Sequence, residues 1–271
     1  MRRLAAFPTL LAVLLVGSPA STDGGRPGEA TAYPEAALVD ALVDGQVGAY
    51  CSGALVAPSV VLTAGHCVKG EDGLVPDAWR VTLPYAGGVA VEATGAETYD
   101  WETTHGTVDP HRHDVGLVYL AHPVALPAGR CPRLASSAVD DATEVVHVGR
   151  LRAGRLSTSS LFVGEPVPVT GGAAAGFPLD YSARAVIAQG DSGGPAIVPG
   201  SVPHSIVAVA SGALAGHNEV LARVDLLNRE GNRWIAGRIR AHGGTCVDPQ
   251  PTAETTRSST STSFTPSASA R

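Results

Sequence analysis

Lysine is nearly absent from this chain of 271 residues, and Lys69 is the only one. Basic residues number 19 against 25 acidic ones, for a formal net charge of −6. No electrostatic footprint for nucleic acid follows from such a balance, because that binding rests on clustered cations. Aromatics make up 5 % of the chain, and long helical patterns are scarce. Past the N-terminus no apolar run approaches the roughly 20 residues that a membrane-crossing helix needs. The four cysteines include no Cys-x-x-Cys pair, which argues against a zinc ribbon.

What is abundant is glycine (32), proline (20) and small apolar residues, with hydrophobic residues at 44 %. The length suits one large domain or two small ones packed together. Short apolar runs bounded by Gly or Pro predict an all-β fold. They fall at 36–43, 53–63, 79–83, 115–120, 144–148, 196–198 and 205–210. The segment 224–241 differs. Asp225 can cap it, Leu226, Leu227, Trp234, Ile235 and Ile239 recur at roughly helical spacing, and Gly243 and Gly244 end it. This predicts one C-terminal helix on a β body, weakened at Gly231 and Gly237.

The N-terminus carries Arg2 and Arg3, an apolar run from Leu4 to Val16, then Gly17, Ser18, Pro19 and Ala20. That order describes a secretory signal over residues 1–20, cleaved before Ser21. Residues 249–271 are rich in Ser, Thr and Pro. Such a stretch cannot bury enough apolar surface to offset its ordering entropy, so it reads as a disordered tail. The folded domain is therefore expected over 21–248. Export places Cys51, Cys67, Cys131 and Cys246 in an oxidising setting, where three pairings are possible.

Three stretches carry chemistry. In Val60–Cys67 an apolar strand ends in a small-residue turn that presents His66. In His113–Leu120 a carboxylate, Asp114, stands immediately before an apolar strand. In Gln189–Pro195 a serine, Ser192, sits in a glycine-flanked turn. A serine hydroxyl needs a nearby base to become a nucleophile. Histidine titrates near neutrality and can take and return that proton. A buried carboxylate fixes the imidazole tautomer and stabilises the imidazolium. Glycines beside the serine let backbone N–H groups converge on an oxyanion. His105, His111 and His113 form a histidine-rich loop, but His113 adjoins Asp114 and the loop is polar, so no metal site is expected.

These stretches resemble the trypsin/chymotrypsin family of serine proteases. Thr63-Ala64-Gly65-His66-Cys67 matches its Thr-Ala-x-His-Cys motif, with Gly65 where the family usually has Ala. Asp114–Leu117 matches its Asp-x-x-Leu strand, and Gly190–Pro195 its Gly-Asp-Ser-Gly-Gly-Pro without change. The resemblance covers about residues 22 to 245. It implies two packed six-stranded antiparallel β-barrels with a C-terminal helix, and a triad of His66, Asp114 and Ser192 in the cleft between them. It also implies an oxyanion hole from the N–H groups of Gly190 and Ser192. By resemblance Cys51 pairs with Cys67, which leaves Cys131 for Cys246. The function implied is a secreted serine endopeptidase acting through an acyl-enzyme. Its partners are protein or peptide substrates, with no cofactor, no nucleic acid and no membrane once the signal is removed. No residue pattern names a protein inhibitor.

The chain also departs from the family. Ala188 stands where a disulfide usually braces the segment before the serine, so the specificity pocket is expected to be less braced. At the pocket floor, six residues before the serine, stands Val186 rather than an aspartate. Ser211 matches the serine that supports the catalytic aspartate, and Ala213 falls at the pocket wall. Glu219 falls where the family has glycine. It either projects into the pocket and attracts a basic residue, or is solvated on a shifted loop. A medium-sized apolar P1 residue is expected, with a basic one as the alternative. In the family a freed amino terminus pairs with the aspartate before the nucleophile, here Asp191. Either a terminus near Thr22 takes that place, or an internal arginine does.

Overall fold

The structure, a computed structural model, describes residues 30–102, 108–214 and 218–244. The expected signal over 1–20 and tail over 249–271 lie outside these residues. So do His105 and Cys246.

The first half is a closed barrel of six strands. These are β1 (Ala36–Val43), β2 (Gln46–Ala57), β3 (Val60–Thr63), β4 (Ala78–Thr82), β5 (Ala90–Thr98) and β6 (Gly116–Leu120). They close in the order β1-β2-β3-β6-β5-β4, every pair antiparallel. Asp44 and Gly45 join β1 to β2, both at positive φ (51° and 73°), the backbone that a two-residue hairpin demands. The run 53–63, expected as one strand, is two. Pro58 and Ser59 turn the chain, and apolar residues continue on both sides of the turn because both strands are buried. β5 was not expected, since Glu92, Thr94 and Gly95 interrupt its apolar pattern.

Alternation along the strands divides the core. Ala37, Val39, Leu55, Val61 and Val118 fill the barrel interior. Leu38, Ala54, Leu62 and Leu117 face outward onto Val146, Val148, Ile197 and Val209 of the second half. Strands buried on both faces read as continuous apolar runs, which is why they were legible.

The second half is a nine-stranded sheet. Its main path runs through Glu144–Gly149, Pro195–Val198, Ser205–Leu214, Asn218–Arg223 and Asp180–Arg184. A six-stranded barrel was expected here, and the strands come round on themselves through one broken strand rather than a continuous ladder. Residues 167–171 instead pair by their first half with Glu144–Gly149 and by their second half with Asp180–Arg184. Pro168, which has no N–H to donate, lies in this broken strand.

The C-terminal helix, α2, spans Trp234–His242 and starts later than expected. Asp225–Leu227 forms a separate 3-10 turn, and Gly231 at φ 89° ends the approach to α2. α2 buries Ile235 against the shared core. Arg238 pairs with Glu97 of β5 at 3.0 Å, and His242 stacks on Tyr119 of β6. No helix among the described residues is long and apolar enough to cross a membrane.

Candidate active site

His66 opens a one-turn helix, α1 (His66–Lys69), directly after β3. The turn needs glycine at position 65. A Cβ there would stand 2.7 Å from Cβ and Cγ of buried Trp101 and 3.0 Å from Asp114 Oδ1. That accounts for the departure from alanine. The turn also delivers the His66 N–H to Asp114 Oδ1 at 2.8 Å, while Nδ1 lies 2.8 Å from Oδ2. An Nδ1–H donated to a carboxylate leaves Nε2 as the basic nitrogen.

Asp114 is 1 % exposed and stands two residues before the start of β6. Its Oδ2 also accepts the hydroxyl of Ser211 at 2.7 Å. Burial works to lower the pKa of His66, but the charge and hydrogen bond of Asp114, with help from Glu71, more than reverse it, and the net direction is upward.

Ser192 sits in a turn flanked by Gly190 (φ 99°) and Gly193 (φ 78°). Its carbonyl accepts the N–H of Ser52 at 2.7 Å, and the Ser52 hydroxyl donates to the carbonyl of Gly190 at 2.9 Å. Thr63 in turn donates its hydroxyl to the Ser52 carbonyl at 2.8 Å. Ser52 is thus the buried link between the serine turn and the barrel. Sequence reasoning missed it, since a serine inside a strand carries no local signal of such a partner. His66 and Ser192 line one cleft of about 470 Å³, together with Gly190, Gln189, Glu71 and Leu74. Among the described residues the N–H groups of Gly190 and Ser192 have no hydrogen-bond acceptor.

Asp191 is buried, and its carboxylate is held by backbone. Leu151 N–H donates to Oδ1 at 2.8 Å and Ala188 N–H to Oδ2 at 3.1 Å. Burial raises its pKa against the opposing pull of the backbone amides of Leu151, Ala188 and Arg150. A side chain at Gly149 would bring a Cβ to 2.2 Å from Oδ1. The expected arginine partner is absent among the described residues, and the alternative, a terminus near Thr22, lies outside them.

Of the expected pocket residues, Val186 is half-buried, Ser211 buried and Ala213 exposed. Glu219 is 0 % exposed, so it is not solvated. Its Oε2 accepts the N–H groups of Val186 and Ile187 at 2.8 and 3.0 Å. Cys51 and Cys67 are disulfide-bonded across a separation of 16 residues. Among the described residues one group of His, Cys and carboxylate side chains is close enough to hold a metal, Cys51, His66 and Cys67, and both of its sulfurs are spent in that disulfide. His113 instead gives its N–H and Nδ1 to Asp100, at 2.8 and 2.9 Å.

A family model described as Trypsin matches residues 24–229. The chain belongs to the trypsin family. Among curated relatives, this trypsin-family chain is 25 % identical to coagulation factor IX of Oryctolagus cuniculus over 85 residues, 31 % of each chain. It is 54 % identical to the CLIP domain-containing serine protease HP8 of Bombyx mori over 35 residues, 13 % of this chain and 9 % of that one. The matches therefore span a third or less of those relatives. Solved structures share the fold over most of their length. Human heparin binding protein aligns with a TM-score of 0.61 at 22 % identity, covering 83 % of this chain and 100 % of that one. HL collagenase aligns with a TM-score of 0.63 at 19 % identity, covering 80 % and 98 %. The scabies mite inactivated protease paralogue S-I1 aligns at 0.61 and 17 %, covering 81 % and 100 %.

Proposed function

We propose that this chain is a secreted serine endopeptidase. His66 Nε2 takes the proton of Ser192 Oγ as that oxygen attacks the scissile carbonyl. The tetrahedral oxyanion is met by the N–H groups of Gly190 and Ser192. His66 then returns the proton to the leaving amine, and water hydrolyses the acyl-enzyme by the reverse sequence. Asp114 stays ionised throughout, holding Nδ1–H and stabilising the imidazolium.

The observation that carries this reading is the pair of bonds from His66 to Asp114, with His66 and Ser192 on one cleft. The two unused N–H groups beside Ser192 support the oxyanion role. The N-terminal charge and apolar pattern supports export. At the pocket, Val186 and the full burial of Glu219, whose Oε2 is held by two amides, favour an apolar P1 residue over a basic one.

A serine-reactive phosphonate tests the mechanism. Stoichiometric labelling of Ser192 that is abolished by His66→Ala is expected. A folded protein that takes no label and cuts no peptide overturns the reading in favour of a binding module. Cleavage of a peptide library tests the pocket, and a preference for acidic P1 residues contradicts both expectations.

A further inference from the structure

Three successive backbone amides lead toward Ser192, and each donates to a buried carboxylate. Val186 and Ile187 donate to Glu219 Oε2, and Ala188 donates to Asp191 Oδ2. Glu219 reaches them from Asn218–Arg223, where it is flanked in the sheet by Ala213 on one side and Ala183 on the other. Beneath both acids lies His147, 4 % exposed, on Glu144–Gly149. Its Nε2 is 3.0 Å from Glu219 Oε1, and its proximity favours the ionised form of Asp191. The segment 186–188 contains no cysteine, so no disulfide fastens it.

A fully buried carboxylate is strongly disfavoured unless it is paired and hydrogen-bonded. Glu219 meets that condition at Oε2, which accepts two amides, while Oε1 lies 3.0 Å from His147 Nε2 without forming a hydrogen bond. The whole side chain is 0 % exposed, so neither oxygen is presented to the cleft. What the carboxylate does instead is hold backbone. With Asp191 it fixes the chain on which Gly190 and Ser192 depend for their direction, because Asp191 is the residue between them.

We propose that Glu219 and His147 are positioning residues. Glu219 clasps Val186 and Ile187, with His147 lying against its other oxygen, and so helps fix the turn that carries Ser192, and Glu219 takes no part in recognising substrate. The clasp does the bracing expected of a disulfide at this place. The proposal rests on the endopeptidase reading for its catalytic consequence and on geometry alone for its structural one.

Two measurements separate these. The first is amide hydrogen exchange in a Ser192→Ala background, which needs no activity. Glu219→Gln keeps the shape but removes the charge and one acceptor. It is expected to raise exchange at 186 and 187 by about tenfold or more, as befits bonds to a charged acceptor, with β1–β3 unchanged. The second is steady-state hydrolysis of a peptide amide by the full chain. Glu219→Gln is expected to lower kcat by about tenfold or more while KM stays within about threefold. His147→Gln is expected to act in the same direction on both readouts. It carries the comparison should Glu219→Gln fail to fold.

Unchanged exchange at 186 and 187, or exchange raised equally in both halves, overturns the clasp. A raised KM with kcat intact makes Glu219 a recognition group and overturns the positioning role. If the wild type neither cuts peptide nor takes label, the endopeptidase reading falls, while the exchange comparison still decides whether the clasp exists.

Discussion

The Arg150 guanidinium crosses between the two halves of the molecule to Asp40, its Nη2 lying 2.5 Å from Oδ1. Arg150 is 0 % exposed, and its Nε donates to the carbonyl of Cys51 at 2.6 Å. Asp40 is also met by Arg80 at 3.1 Å, from a side chain more than a third exposed. Removing one member of a buried pair leaves the other charge desolvated, which typically costs about 3–5 kcal/mol. Replacing both by apolar groups avoids that penalty. Arg150→Met is therefore expected to lose about 3 kcal/mol, the lower end, because Arg80 remains for Asp40. Asp40→Leu/Arg150→Met is expected to recover most of it. Urea unfolding of the three proteins checks this, and equal losses in the single and double variants contradict it.

The hydrogen bond between His66 and Asp114 sets a pH dependence. His66 must be neutral to accept the serine proton, and Asp114 raises its pKa against the lowering effect of burial. The acid limb of kcat/KM is thus expected above 6.5. In Asp114→Asn the raising charge is gone and burial remains, so the limb moves to lower pH. The same variant is expected to lose about 10⁴ in kcat, because the imidazole is no longer held in the correct tautomer. A limb that stays in place in Asp114→Asn means that another group controls it.

These contrasts show which features the linear sequence carries. His66, Asp114 and Ser192 lie in local motifs whose strand and turn are written in adjacent residues, so their setting was legible. Ser211 was placed by the resemblance of its strand to the family's, and its hydroxyl meets Asp114. Arg150 and Asp40 were not, being 110 residues apart with nothing local to pair them. Glu219 was read as facing substrate or solvent, and it faces backbone amides 32 and 33 residues away in the chain. Asp191 accepts the amides of Leu151 and Ala188, which its motif does not announce, and the terminus expected beside it lies outside the described residues. Hydrogen-bond partners of buried acids are set by packing, which periodicity does not encode. The broken strand of the second half was not legible for a related reason, since two-residue ladders such as those at 167–171 leave no pattern to read.

Gly193 supplies a test of the serine turn. At φ 78° it occupies backbone that side chains disfavour, and an added Cβ would stand 2.1 Å from Thr63 Oγ1 and 2.5 Å from the Ser52 carbonyl. One of those atoms is backbone in the barrel and does not yield easily. Gly193→Ala is expected to push the turn away from Ser52 and to cost about 1–3 kcal/mol, the usual range for overpacking. Phosphonate labelling of Ser192 is expected to slow sharply even where the protein stays folded by circular dichroism. Labelling at the wild-type rate would show that the turn tolerates displacement.

Asp180 gives the most direct prediction about stability. It is 1 % exposed, and neither carboxylate oxygen has a hydrogen-bond partner among the described residues. Burial, and secondarily the charge of Asp114, pushes its pKa up to about 8, with Arg223 opposing. The folded state therefore keeps the proton at neutral pH, whereas the unfolded chain releases it near 3.8. A group that binds its proton more tightly when folded favours folding fully below its unfolded pKa. That advantage is lost as pH rises from about 4 through about 8. Asparagine resembles the protonated acid but never ionises. Asp180→Asn is thus expected to match the wild type in Tm near pH 4 and to exceed it increasingly toward pH 8. A Tm difference that stays constant across that range would mean that Asp180 is ionised in the fold and has found a partner for its charge.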